Sequence, residues 1–136
     1  MEPIDDYWAL RPRQTTLRHP VWCRGVALHS GKETRVELQP ASLNTGVVFH
    51  VMHDATQYTA IAAHINQVKS GDHRTVLEHA GVECSTVEHL LAAVSAVNCT
   101  NLIVRVWGSE IPILSGSASD WLFLLQCAGT EIQAEP

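Results

Sequence analysis

No stretch of this chain approaches the roughly 20 consecutive apolar residues needed to span a bilayer, so no transmembrane segment is expected. No C-x-x-C pair occurs. Cys23, Cys84, Cys99 and Cys127 stand far apart, a pattern that reads as reduced, mostly buried thiols of a cytoplasmic protein. An excess of positive charge is missing as well. The nine Lys and Arg are scattered among 14 Asp and Glu, and the formal net charge is −5. That balance argues against nucleic acid or an anionic membrane surface as a partner. Met1 to Trp8 is acidic and lacks the basic-then-apolar order of a signal peptide. Internal repeats and low-complexity tracts are absent too.

What remains is an ordinary globular composition. The 136 residues suffice for one core, with 46% apolar and 17% charged residues. Eight histidines are many for this length and keep a metal site open. Residues 1–13, with Pro3 and Pro12, read as a loose lead-in, and residues 14–136 as a single domain. Strands are expected from Gln14 to Cys23, interrupted at Pro20, then over Thr34–Gln39, where polar and apolar residues alternate, and Val47–Met52. Tyr58–His64 reads as a short strand and Gln67–Gly71 as a loop. Asn101–Trp107 is rich in β-formers. A helix is expected over Ser119–Ala128, capped by Ser119 or Asp120 and ended by Gly129.

Between these lies the stretch Cys84-Ser85-Thr86-Val87-Glu88-His89-Leu90-Leu91-Ala92-Ala93-Val94-Ser95-Ala96-Val97. Ser85, three residues before Glu88 and an apolar run, predicts a helix start with a capping box. Glu88 and His89 then fall in the first turn, where free backbone N–H groups favour anions. Two readings stay open at this level. Glu88 is a capping residue or a general base, and His89 a hydrogen-bonded structural residue or a metal ligand. The element order gives an α+β fold: a two-layer sandwich, mostly antiparallel, with two helices on one face. Both helices are apolar on nearly every side. Leu90, Leu91, Val94 and Val97 are expected to cover the sheet, leaving Ala92, Ala93 and Ala96 for another cover.

Four blocks carry a resemblance: Gly25-Val26-Ala27-Leu28-His29-Ser30-Gly31, Asn44-Thr45-Gly46-Val47, Ser85-Thr86-Val87-Glu88-His89-Leu90 and Glu110-Ile111-Pro112-Ile113. Their order and spacing resemble the N-terminal domain of UDP-3-O-acyl-N-acetylglucosamine deacetylase, the zinc hydrolase family of lipid A biosynthesis, from about Thr15 to Ile132. The resemblance implies that Glu88 is the general base and His89 a ligand of catalytic zinc. It makes His29 and His73 possible pocket residues. The substrate implied is a UDP-sugar lipid, hydrolysed at its acetamide. Ser115 departs from the family, which usually reads Asp before Gly-Ser, and affects the loop into the second helix more than the chemistry.

In the family a second, similar domain supplies the other zinc ligands, in an H-x-x-x-D motif, and a catalytic histidine and lysine. That domain is expected to be absent from this chain, which offers one secure ligand where a catalytic zinc takes three. A weak or incomplete zinc site follows, and inactivity of the chain alone. Three arrangements fit: half of a deacetylase completed by a second deacetylase-like domain or subunit, a non-catalytic protein-binding or regulatory relative acting through its apolar helical face, or a homodimer that brings two Glu88-His89 tips together and builds a metal site from both chains.

Overall fold

A computed structural model describes residues 13–69 and 74–133. The expected lead-in lies almost wholly outside the described residues, and so does His73. Among the described residues the order is β1 (Thr15–Leu17), β2 (Val21–Val26), β3 (Glu33–Pro40), β4 (Val47–Met52), β5 (Tyr58–Ala62), a 3-10 turn at Ile65–Gln67, β6 (Val68–Lys69), β7 (Val76–His79), β8 (Val82–Ser85), α1 (Glu88–Ala96), β9 (Leu102–Trp107), α2 (Ser119–Ala128) and β10 (Thr130–Ile132). The fold is α+β, and its main sheet has the strand order β2-β3-β9-β4-β5. Every neighbour in that sheet is antiparallel except β4 and β9.

Alternation along the strands builds the core. In register across the sheet run Val21, Leu38, Val104, Phe49 and Ile61, and beside them Cys23, Val36, Val106 and Val51. The two rows are two residues apart on each strand and therefore share a face. Leu90, Ala93 and Val94 of α1 and Trp121, Leu125 and Ala128 of α2 close over that face in one apolar cluster. Full burial of the leucine and valine side chains among them stabilises the fold by roughly 1.5–3 kcal/mol each. The opposite face carries Trp22, Glu37, Arg105 and His50 in register. There the Arg35 guanidinium lies 4.9 Å from the Trp22 ring and 5.4 Å from the Trp107 ring.

Several local expectations are corrected. No capping box forms at α1. Its N-cap is Val87, without a side-chain cap bond. Ser85 is the last residue of β8, and its hydroxyl donates to the Ser109 carbonyl. The strand pairing of β8 therefore uses Ser85 before the helix can. At α2 the N-cap is Ala118, not Ser119 or Asp120, and Asp120 instead accepts from the Ser115 N–H at 2.8 Å. Gly129 does end α2, with φ 70°. Ala93, expected to face away from the sheet, is 1% exposed, whereas Leu91 is only half-buried. Of the loop expected over residues 67–71, Val68–Lys69 form strand β6 and residues 70–71 lie outside the described residues, and the segment before α1 is the hairpin β7–β8. Strand β10 was not foreseen. It pairs with β1, and Asn101 knits the two together by donating to Gln14 and Gln133 while accepting from the Gly46 N–H.

Candidate functional site

The junction between β8 and α1 gathers the blocks that the sequence holds apart. Glu110 lies alongside Ser85 in a parallel bridge, fixed by Ser85 N–H to the Ser109 carbonyl and Ile111 N–H to the Ser85 carbonyl, both 3.0 Å. Gly25 lets the following segment lie against β2. A Cβ there would stand 3.1 Å from Leu114 and 3.2 Å from Pro112. Three of the four blocks thus meet at the start of α1.

Thr86 is the strained point of the junction. A β-branched residue at φ 61° is a backbone outlier whose cost is on the order of 1–3 kcal/mol. Its N–H donates to the Thr75 carbonyl at 2.9 Å and its hydroxyl to Glu110 at 2.8 Å. These bonds hold the turn that delivers Glu88 and His89 as the first two residues of α1. Glu88 is half-buried and accepts from the Thr75 N–H at 3.3 Å. His89 is half-buried, and its imidazole has no hydrogen-bond partner among the described residues.

Glu110 is the residue that the sequence reading quoted within a motif but gave no role. It is 3% exposed. Its Oε1 accepts from the N–H groups of His29 at 3.2 Å and Ser30 at 3.1 Å. Its Oε2 lies 2.7 Å from His29 Nδ1. Burial alone would push this carboxyl up. The side-chain bonds from His29 and Thr86, with the backbone N–H groups of His29 and Ser30, outweigh burial and hold it at about 2. An acid two residues after a glycine and just before Ile-Pro was the available signal, but only tertiary structure brings its donors to it.

Several other histidines and cysteines among the described residues are engaged elsewhere. The spacing His50-x-x-x-Asp54 has the H-x-x-x-D form that the resemblance assigns to zinc ligands. Here, however, the His50 ring stacks on Tyr58 at 4.0 Å, and Asp54 accepts from the N–H groups of Thr56 and Gln57 in a turn. His53 bonds to Thr59, and His64 accepts from the Asn66 N–H. Among the described residues no group of three or more His, Cys, Asp or Glu could hold a metal ion. Burial raises the Cys84 thiol to about 12 and the Cys23 thiol to about 11, so neither is a thiolate nucleophile near neutrality. Cys84 and Cys99 are buried, but Cys127 is exposed. A groove of about 420 Å³ opens beside α1, lined by Val47, Ala63, Leu91, Val94, Ser95 and Asn98.

With the junction described, likeness to known proteins decides the family. The sequence profile of the UDP-3-O-acyl N-acetylglycosamine deacetylases matches residues 14–136. The chain belongs to this family. A UDP-3-O-acyl-N-acetylglucosamine deacetylase of Acidithiobacillus ferrooxidans is 40% identical over 124 residues, covering 91% of this chain and 40% of the relative. That of Shewanella loihica is 43% identical over 122 residues, covering 89% of this chain and 40% of the relative. The deacetylase-family chain therefore spans about two fifths of the length of these relatives. No helix among its described residues is long and apolar enough to cross a membrane.

Proposed function

We propose that this chain is the Glu88- and His89-bearing portion of a zinc-dependent deacetylase that hydrolyses the acetamide of a UDP-3-O-acyl-N-acetylglucosamine. The observation that carries this reading is the strained Thr86 turn, which presents an acid and an unpartnered imidazole together at the start of α1. The described residues of this chain do not build a zinc site by themselves. They supply one donor, His89, and a second deacetylase-like domain or subunit would supply the other ligands. Zinc held there would act as a Lewis acid toward the amide carbonyl. Glu88, oriented by the Thr75 N–H, would take the proton of the attacking water and return it to the leaving amine. The helical layer is the surface through which such a domain or subunit would dock. Phe123 on α2 is 65% exposed, and Leu91, Leu122 and Leu124 are only half-buried.

The decisive experiment is hydrolysis of the UDP-sugar lipid by this chain alone and by the chain supplied with the remaining three fifths of a relative. Activity is expected only in the second case and is expected to vanish in Glu88→Gln and His89→Ala. Alone, the chain should hold zinc weakly and at less than one per chain. Tight one-to-one zinc that survives His89→Ala would overturn the assignment.

A further inference from the structure

We infer that Glu110 is a positioning residue that locks the His29 imidazole in its Nδ1–H tautomer and presents the opposite nitrogen, Nε2, as an acceptor for a hydroxyl group or water. A use for His29 in the pocket rests on the deacetylase reading above, whereas the lock itself rests on geometry.

The chemistry follows from counting donors. Glu110 meets the His29 N–H, the Ser30 N–H, the Thr86 hydroxyl and His29 Nδ1. The two backbone groups can only donate. The Thr86 hydroxyl lies 2.8 Å from Oε2 of a carboxylate, and an ionised carboxylate only accepts. Nδ1, 2.7 Å from the same oxygen, must therefore carry a proton. In the neutral ring the lone pair is then on Nε2, which has no partner among the described residues. The side chain is 30% exposed while Glu110 is 4% exposed, so the orienting acid is inside and the free nitrogen can be reached. A carboxylate behind an imidazole is the arrangement that fixes which nitrogen of a histidine is available for chemistry. The same carboxylate ties the His29–Ser30 loop to the Thr86 turn, so the two halves of the junction cannot move independently.

Glutamine cannot replace this residue. One of its two ends is an NH2 group, which donates where the carboxylate accepts; set against His29 Nδ1 it favours the opposite tautomer, and set against the backbone N–H groups it leaves them unpaired.

The test is a long-range proton–nitrogen correlation spectrum of the 136-residue chain with 15N-labelled histidine, recorded at a pH where the His29 ring is neutral. The expected pattern for His29 is a protonated Nδ1 and an unprotonated Nε2. A Nε2–H tautomer, or an average of the two, would overturn the lock whatever the outcome of the deacetylase assay. In Glu110→Gln the His29 tautomers should average, and amide exchange at His29 and Ser30 should accelerate by about tenfold or more, the scale of one lost hydrogen bond to a charged group. An unchanged His29 pattern in a folded Glu110→Gln would show that Glu110 does not set it. Should that variant fail to fold, the wild-type spectrum decides the matter alone. The deacetylase reading stands or falls on hydrolysis, which this spectrum does not touch.

Discussion

Glu110 and Glu88 lie at opposite ends of what a glutamate can contribute. Glu110 is buried and saturated with donors, and its carboxyl sits at about 2, against an ordinary value near 4.3 in an unfolded chain. The folded state thus binds its proton less tightly than the unfolded state does. Its stabilisation is fully present above the unfolded value and is lost as pH falls through that value toward about 2. The size is on the order of 3 kcal/mol at neutral pH. Denaturant titrations at pH 7, 4.5 and 3 should therefore converge for wild type and Glu110→Gln as the pH drops, with the variant much the weaker at pH 7. Parallel curves at every pH would deny Glu110 this role. Glu88 has one long bond, 3.3 Å from the Thr75 N–H, and caps nothing. Glu88→Gln should cost less than about 1 kcal/mol in thermal unfolding. A larger loss would mark it as structural and weaken the catalytic assignment.

At the scale of elements, α2 shows how one apolar run is divided by position. Trp121 is 1% exposed and sits in the core with Leu125 and Ala128, while Phe123, two residues on, is 65% exposed. Trp121→Ala should cost about 3–5 kcal/mol. Phe123→Ser should stay within about 0.5 kcal/mol of wild type in the isolated chain. Denaturant midpoints check both, and equal losses would mean that the helix is covered on both sides within the chain. The reading of α1 as apolar all round was sound in composition and wrong in phase. Ala93 turned out to be a core residue and Leu91 a half-exposed one, because a helix so uniform carries little periodic signal to orient it. Strand β3 was legible because polar and apolar residues alternate along it, and β9 because it is rich in β-formers. The hairpin β7–β8 was not, because its strands are only four residues long, and β10 was not, because it is short and completed by the distant β1.

At the scale of the whole molecule the helical layer is only partly covered. With Phe123 exposed and Leu91, Leu122 and Leu124 half-covered, the isolated chain is expected to self-associate or to bind a second deacetylase-like domain there. Light scattering at high micromolar concentration tests the first outcome. Ala93→Arg is unsuitable as an interface disruptor, because that residue is in the core. Ala96→Arg, at an exposed position, is the proper probe and should disperse the complex without unfolding the chain. A wild type that stays monomeric and binds no added second part would remove the helical layer as the docking surface.

The sequence by itself determined the family, the α+β class and the placement of Glu88 and His89 at a helix start, because motifs and alternation are local in the chain. The tertiary structure decided what surrounds them. Ser85 was claimed by strand pairing and lost to capping, His50 and Asp54 were drawn into a ring stack and a turn, and Glu110 was brought to donors about 80 residues away at His29 and Ser30. A buried carboxylate finds its donors only when the chain closes, since a residue that is ordinary among its neighbours in sequence acquires its role from groups that arrive from elsewhere.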